Sequence, residues 1–362
     1  MDQNSRDLIY LLSAAVNGVT ADPQRLRAMD LETVADMAGR QMLSAAAAFA
    51  LDQAGCPDQR LSRERDMAIR KILILDTERA RVLSALEQAG IWYMPLKGAV
   101  LKVCYPQLGM RQMSDNDILF DADRTEKVTE LMKELGFTPA SVEKSHHEKF
   151  IKPPVSNFEM HTELFDRAED PQLSRYYRNV KERLCKDSDN RFGYHFTHED
   201  FYIYLIAHEY KHSRRSGTGL RSLLDIYVFL QKVGGELDWP YIGIELQKCG
   251  MVDFEQQNRM LAQKIFSAPD AELTAEEEEL LSFFLTSGAF GTREQRVRRG
   301  VEQKGKLRYI LGRIFLPMEK VKAFFPFFHR HKILLPFLPL YRLLRRGNKA
   351  KTEIKTLTQR DQ

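Results

Sequence analysis

The chain has 362 residues, of which 43% are hydrophobic and 29% are charged, proportions typical of a globular protein with about two or three compact units. Its four cysteines lie far apart, which excludes a zinc ribbon and a disulfide-rich secreted domain. The N-terminus lacks a basic stretch before its short apolar run, and no run of about 18 apolar residues occurs. We therefore expect neither a signal peptide nor a transmembrane segment, and we predict a cytoplasmic location.

Residues 1–89 are rich in Ala, Leu, Arg and Glu, which favour helices. Helical segments are predicted at 5–17, 30–53 and 62–89. The third segment carries an apolar stripe and is followed by Gly90, a residue that commonly ends helices. No cluster of chemically active side chains occurs in this part, so we predict an N-terminal helical region that serves as a scaffold.

Residues 90–167 mix strands with short helices. Apolar and alternating patterns predict strands at 91–96, 115–120 and 158–165. Short helices are predicted at 99–105 and between Asp123, where Glu126 would complete a capping box, and Gly136. The polar stretch around His146 and His147 is predicted to be a loop. This alternation predicts a small mixed-sheet core of the α/β or α+β class.

The pattern becomes helical again over residues 168–292, and the last segment, 293–362, is strongly basic. That segment holds 19 Lys and Arg against 5 Asp and Glu, whereas the rest of the chain is net acidic. Such an asymmetry predicts an anionic partner, either nucleic acid or a membrane surface, although a merely solvated cationic face fits the same composition.

Two aspartates near the start of the second predicted strand stand out. Side chains alternate along a strand, so Asp115 and Asp117 would point to one face while Asn116 and Ile118 point to the other. Packing explains two such carboxylates poorly, but a divalent metal explains them well. Hard cations such as Mg²⁺ or Mn²⁺ bind carboxylate oxygens and commonly complete their shell with substrate phosphates. The pair therefore predicts a metal site for phosphoryl-transfer chemistry.

Other residues of the same region complete this hypothesis. Glu159 lies on the polar face of the predicted 158–165 strand and is the best candidate for a third metal-binding carboxylate. Gly98 begins a helix after a strand, where backbone N–H groups can approach phosphate oxygens. Lys97 and Arg111 supply cations for a triphosphate. His161 shares the face of Glu159, where it would orient the carboxylates, contact substrate or simply be a half-buried structural histidine.

A second motif competes with this hypothesis. Residues 208–212, His-Glu-Tyr-Lys-His, match the HExxH pattern that binds zinc in metallopeptidases. The extension that would supply a third histidine is missing, because Arg215 and Thr218 occupy its positions. We therefore favour a nucleotide-facing or structural role for His208 and Lys211, with a zinc peptidase as the weaker alternative.

The ordered segments PLKGAVL, RQMSDNDILF and FEMHTELF resemble the DNA polymerase beta-like nucleotidyltransferase superfamily, and more narrowly a bacterial group of uncharacterised nucleotidyltransferases. The resemblance covers most of residues 70–345. It implies Asp115, Asp117 and Glu159 as metal ligands and Gly98 at the nucleotide-phosphate turn. The turn reads Lys-Gly-Ala where Gly-Ser or Gly-Gly is usual in the wider superfamily, and the gap before the aspartates is longer.

Together these observations predict an α+β fold, with a nucleotidyltransferase core at 90–167 flanked by helical regions. The predicted function is Mg²⁺-dependent (or Mn²⁺-dependent) transfer of a nucleoside monophosphate from an NTP such as ATP to an unknown acceptor. We assign Ser114, together with Lys97, Gly98, Arg111, His208 and Lys211, to nucleotide binding. The alternative is a catalytically silent module that binds nucleotide or a partner.

Overall fold

The computed structural model of the chain describes residues 1–140, 147–215, 217–289 and 325–346, together with scattered residues between 291 and 321. Its α-helices, in chain order, are α1 (Gln3–Asn17), α2 (Pro23–Ala28), α3 (Leu31–Gln41), α4 (Ser44–Gln53), α5 (Gln59–Gln88), α6 (Gly98–Leu101), α7 (Thr125–Glu134), α8 (Pro171–Tyr176), α9 (His198–Ser213), α10 (Leu220–Val233), α11 (Trp239–Cys249), α12 (Val252–Ser267), α13 (Ala275–Ser287), α14 (Pro326–Arg330) and α15 (Leu338–Arg346). Among these described helices, none has the length and apolar character needed to cross a membrane.

The strands form a five-stranded mixed sheet and a small two-stranded one. They are β1 (Tyr93–Pro95), β2 (Asn116–Phe120), β3 (Thr138–Pro139), β4 (His147–Lys152), β5 (Ser156–His161), β6 (Cys185–Lys186) and β7 (Tyr194–His195). The larger sheet has the order β1-β2-β5-β4-β3, in which only the central pair β2-β5 is parallel. Because β2 and β5 are parallel neighbours, the polar faces of these two strands lie side by side.

One face of the sheet packs against α5 and α7. Ile118 and Phe120 of β2 and Phe158 of β5 are buried there, in a cluster with apolar side chains of both helices. Asn116, which points the same way, donates from Nδ2 to the carbonyl oxygen of Leu75 at 2.9 Å, and its Oδ1 accepts from Arg79. The long helix α5 therefore fixes the beginning of β2 through hydrogen bonds as well as through burial.

The other face of the sheet meets a large helical core. Leu119 of β2 joins a buried cluster that runs from α1 to α13 and includes most of α9 and α10. Helix α1 contacts α12 directly: Ser13 Oγ donates to the carbonyl oxygen of Phe266 at 2.7 Å, and Asn17 Nδ2 donates to the same oxygen at 2.8 Å. Helices that precede the sheet in the chain and helices that follow it thus share one core.

The architecture is α+β, as the sequence predicts, with a small mixed sheet between helical regions. The division of the chain at residues 89, 167 and 292 stays a prediction. Two helices of the region 168–292, which is predicted to be helical, begin at capping threonines: Thr197 caps α9 by accepting from Asp200 N, and Thr274 caps α13 within a capping box.

Several predicted element boundaries are wrong. The segment 30–53 forms two helices, because Met42 adopts a left-handed conformation (φ 55°) that ends α3 and lets both segments bury their apolar sides. The capping box at Asp123 is absent: Asp121 caps a short 3-10 turn instead, and α7 begins at Thr125.

The strand predicted at 158–165 lies earlier, at β5 (Ser156–His161). It begins at Ser156 because that residue pairs with Lys152 of β4 in a hairpin, and its pairing with β2 ends at His161. The loop prediction around His147 is also wrong, since β4 begins at that residue, while His146 lies outside the described residues.

Candidate functional site

The candidate site is built on the polar face of β2 and β5. Asp117 and Glu159 are register partners on these parallel strands, and His161 follows two positions later on the same face of β5. One potential ligand atom from each of the three side chains lies within 4.8 Å of the others. Strand alternation and parallel pairing thus bring Asp117 together with Glu159 and His161, which lie more than forty residues later in the chain.

Asp115 lies just before β2, at the edge of this group. Ser114 Oγ donates a hydrogen bond to Asp115 Oδ1 at 2.7 Å. Burial and the negative charge of Asp117 raise the pKa of the Asp115 carboxyl, although the Ser114 hydrogen bond opposes them. Ser114 therefore has a visible role as the partner of a candidate metal ligand.

Lys97 reaches the same group from the turn between β1 and α6. Its Nζ lies 2.6 Å from Asp117 Oδ1, and His161 Nε2 donates to that same oxygen at 2.8 Å. Burial alone would raise the pKa of Asp117, but the Lys97 ammonium and the His161 hydrogen bond outweigh burial and hold that pKa far below its usual range. Asp117 is therefore a carboxylate with two nitrogen partners.

The backbone at Lys97 is unusual, with φ 47° and ψ −116°. A positive φ is costly for a residue with a long side chain, and such residues cluster at functional sites. Gly98 follows at the first position of α6, where an added Cβ would lie 2.6 Å from Arg111 Nη1. Gly98 is thus required by the close approach of Arg111, a reason that is independent of phosphate binding.

Glu159 forms an ion pair with Lys149 of β4. Its pKa is lowered overall: burial and the Asp117 charge act upward, but the Lys149 hydrogen bond and the Lys97 charge outweigh them. The sequence does not indicate Lys149 as a site residue, because its polar surroundings predict a loop where the structure has β4. The pairing of β4 with β5 places Lys149 directly opposite Glu159.

Arg111 is held away from the carboxylates by a buried partner. Its Nε and Nη2 donate to the two oxygens of Asp225 on α10, at 2.7 and 2.8 Å, and Tyr105 Oη donates to Asp225 Oδ1 at 2.7 Å. Arg221, four residues before Asp225 on the same helix, donates from Nη1 to the carbonyl oxygen of Gln112. Arg111 thus anchors the segment that leads into Asp115, and two of its nitrogens are committed.

The far wall of the site is α9, which carries the HExxH residues. His208 Nε2 and His212 Nε2 lie 3.1 Å apart, and Glu209 Oε2 accepts from Thr218 Oγ1 at 2.5 Å. Burial lowers the pKa of His208 well below its usual value, and burial and the neighbouring His208 lower that of His212 to about 3. In the part of the chain that the structure describes, this histidine pair belongs to no group of three potential metal ligands.

Lys211 extends from the same helix over the ring of Phe165, with 5.7 Å between Nζ and the ring centroid. Burial and the nearby charge of Arg215 lower its pKa. Between α9 and the sheet lies a cleft with a cavity of about 500 Å³, a size typical of small-molecule sites. The ten residues assigned to the site from sequence all line this cleft: Lys97, Gly98, Arg111, Ser114, Asp115, Asp117, Glu159, His161, His208 and Lys211.

Comparison with known proteins adds one finding. A model of the family described as "Uncharacterised nucleotidyltransferase" matches residues 27–267, a range that includes every residue of the candidate site and ends before the basic segment. No curated protein and no solved structure matches the chain significantly. Because the family match covers well over half of the chain, the protein belongs to this family of uncharacterised nucleotidyltransferases.

Proposed function

We propose that the protein is a nucleotidyltransferase that moves a nucleoside monophosphate from an NTP to an acceptor hydroxyl or phosphate, with Mg²⁺ or Mn²⁺ as cofactor. The observation that carries this proposal is the group formed by Asp117, Glu159 and His161, with Asp115 beside it, at the wall of a cleft. Family membership supports nucleotidyl transfer in general. Family membership does not specify the nucleotide, the metal or the acceptor, and these are the parts of the function that we propose.

The side chains fit a divalent cation. Asp115, Asp117 and Glu159 would hold it, since carboxylate oxygens are the ligands that Mg²⁺ and Mn²⁺ prefer. His161 keeps Asp117 oriented through its hydrogen bond from Nε2. When bound, such a cation stabilises the negative charge that develops during phosphoryl transfer.

Cations around the cleft fit a triphosphate. Lys97, Lys149 and Lys211 line it from three different elements, and His208 adds a neutral imidazole that can donate or accept a hydrogen bond. We propose that Lys97, Lys211 and His208 contact the nucleotide, and that Ser114 acts by holding Asp115. Arg111 contributes by fixing the segment before Asp115 through Asp225, because two of its nitrogens are committed to that carboxylate.

Asp115→Asn is the sharpest test of this proposal. This change removes a candidate metal ligand without breaking an ion pair, so the fold should persist. With labelled NTPs, the wild-type protein should release pyrophosphate and form a labelled product in the presence of Mg²⁺ or Mn²⁺, and the variant should not. Transfer by the variant at the wild-type rate would remove Asp115 from the site and count against the proposal.

A second candidate function is nucleotide or partner binding without turnover. One observation favours it: two cations predicted to face a triphosphate, Lys97 and Arg111, already contact carboxylates of this chain. Binding of NTP by the wild-type protein, with no pyrophosphate release across a broad panel of acceptors, would support this function.

The zinc peptidase alternative has less support, because His208 and His212 belong to no group of three potential metal ligands among the described residues. Metal analysis of the purified protein tests this alternative. Stoichiometric zinc in the wild-type protein that is lost in His212→Gln would support a zinc peptidase.

For the basic segment we propose an anionic membrane surface as partner. Large apolar side chains are exposed beside its cations, including Phe327, Ile333 and Phe337, and Ile333 is 90% exposed. This combination suits anionic lipid better than nucleic acid. Co-sedimentation with phosphatidylglycerol vesicles, but not with neutral vesicles, would support the proposal. The four cysteines are free thiols, as in a reducing compartment, and we propose a cytoplasmic location.

A further inference from the structure

One oxygen atom of the candidate site already has two nitrogen partners. Asp117 Oδ1 accepts hydrogen bonds from Lys97 Nζ at 2.6 Å and from His161 Nε2 at 2.8 Å. The side chain of Asp117 is only 6% exposed, and that of Lys97 is 22% exposed. Lys97 is thus the cation that neutralises the most buried carboxylate of the site.

A divalent cation and this ammonium group compete for the same place. A divalent cation held by Asp117 Oδ1 would share that oxygen with the Lys97 ammonium, and two positive charges on one carboxylate oxygen repel each other strongly in a half-buried cleft. Metal binding through this oxygen therefore competes with the Lys97 contact and favours release of the ammonium group. The other carboxylates that line the cleft are candidate metal ligands (Asp115 and Glu159) or are hydrogen-bonded elsewhere (Glu209 and Asp225). A triphosphate that enters from solution would therefore give Lys97 a new anionic partner.

The backbone of Lys97 gives independent support for this role. Its positive φ and its ψ of −116° are accessible at low cost to glycine but costly to lysine. The turn is held by hydrogen bonds on both sides: Leu96 N donates to the carbonyl oxygen of Asp117 at 2.9 Å, and Val100 N donates to that of Lys97 at 3.0 Å. A costly lysine in a fixed turn, aimed at one carboxylate, points to a function of its side chain.

We propose that Lys97 is a built-in counterion that occupies the metal ligand Asp117 and makes cation binding depend on the arrival of a triphosphate. This inference rests on the proposed function and adds a coupling between its two ligands. Metal alone binds weakly, because Lys97 opposes it. A nucleotide draws Lys97 towards its phosphates and so frees Asp117, and by reciprocity metal promotes nucleotide binding by the same factor.

Lys149 is not equivalent to Lys97, although it contacts Glu159. Its side chain is 51% exposed, so it can turn into solvent without losing hydration. Lys211 lines the same cleft but forms no ion pair with the three carboxylates in the described structure. Lys211→Met therefore removes one positive charge from the cleft without freeing a metal ligand. It serves as the charge-matched control for the measurement without nucleotide only, because Lys211 is itself a proposed nucleotide contact.

The test measures Mn²⁺ affinity from the electron paramagnetic resonance signal of free Mn²⁺, without nucleotide and then with a non-hydrolysable NTP analogue. Without nucleotide, Lys97→Met should bind Mn²⁺ at least about tenfold more tightly than wild type, and Lys211→Met should change the affinity less than about threefold. The analogue should strengthen Mn²⁺ binding at least about tenfold more in wild type than in Lys97→Met. These factors correspond to an ordinary allosteric coupling.

Each outcome separates this inference from the proposed function. Equal Mn²⁺ affinity in wild type and Lys97→Met, with binding lost in Asp115→Asn, would overturn the role of Lys97 but leave the metal site intact. Equal tightening in Lys97→Met and Lys211→Met would reduce the effect to general electrostatics and also overturn it. Absence of site-specific Mn²⁺ binding in every variant would overturn the proposed function itself. If Lys97→Met does not fold, Lys97→Gly replaces it, since glycine relieves the positive φ.

Discussion

Asp115 lies beside Asp117 at the start of β2, and burial together with the charge of Asp117 raises the pKa of Asp115. Two carboxylates held this close repel each other in the absence of a cation. The same proximity that weakens the fold therefore creates an attractive place for a divalent metal. The cost to stability and the capacity for metal binding have a common origin.

Asp115→Asn should for this reason separate stability from activity. The amide removes one of the two repelling charges and can still accept the Ser114 hydrogen bond, so the free energy of unfolding should stay constant or rise by up to about 1 kcal/mol. Nucleotidyl transfer should fall by at least about 100-fold. Urea denaturation and a pyrophosphate-release assay measure the two effects. A large loss of stability would show that Asp115 has a structural role instead.

Asp117→Asn should behave differently from Asp115→Asn. It leaves the Lys97 ammonium without its carboxylate partner, and breaking a buried ion pair from one side costs about 3–5 kcal/mol. The full cost is not expected here, because Lys97 is partly exposed. The double variant Lys97→Met/Asp117→Asn should be more stable than Asp117→Asn alone, as measured by urea denaturation. No recovery in the double variant would contradict the assigned pairing.

The Arg111–Asp225 pair should contribute strongly to stability, because both side chains are buried and joined by two hydrogen bonds. Arg111→Met should destabilise the protein by about 3–5 kcal/mol, since it removes the ion-pair partner of the buried Asp225 carboxylate. Adding Asp225→Leu should recover part of that loss. Chemical denaturation of the two single variants and the double variant completes the cycle. Additive losses would show that the two residues do not act as a pair.

Stability should fall on acidification because of the histidines of α9. Folding lowers the pKa of His208 and of His212, the latter from 6.5 to about 3. Below pH 6.5 the unfolded chain therefore binds more protons than the folded one, so this stability is fully present above that pH and is lost as pH falls towards 3.

His212→Gln should reduce the slope of unfolding free energy against pH in this window by up to about one proton. Urea denaturation at a series of pH values measures it. His198→Gln, at an exposed position on the same helix, is the matched control for the effect of a histidine-to-glutamine change on stability at neutral pH. An unchanged slope in His212→Gln would contradict burial of a neutral His212.

Alternation along strands made the centre of the site predictable. A period of two places Asp117 on the polar face of β2 and places Glu159 and His161 together on the polar face of β5. The parallel pairing of β2 with β5 then brings these two faces next to each other. The strand limits were less predictable, because β5 is bounded by its hairpin with β4 and by the end of its pairing with β2. The polar side chains of β4 do not show a strand pattern in the sequence. The position of Lys149 opposite Glu159 is therefore not predictable either.

Long-range pairs were beyond sequence reasoning. Arg111 finds Asp225 114 residues further along the chain, although Arg221, four residues from Asp225 on the same helix, offered a local partner. The contact of Lys97 with Asp117 likewise depends on a turn in which Lys97 itself has a positive φ. Because that position holds lysine and not glycine, the sequence does not indicate such a turn. Such contacts depend on how β1, β2 and α10 pack against each other. The residue pattern within a single segment does not indicate that packing.

The hydrogen bonds between α1 and α12 have a consequence for how the chain is made. Phe266 follows Ser13 by 253 residues, a stretch that takes roughly 13–50 s to translate at about 5–20 residues per second. During that time the apolar side of α1 has no α12 to cover it. The nascent N-terminal helices are therefore expected to recruit a chaperone until the ribosome has delivered the segment that completes their packing.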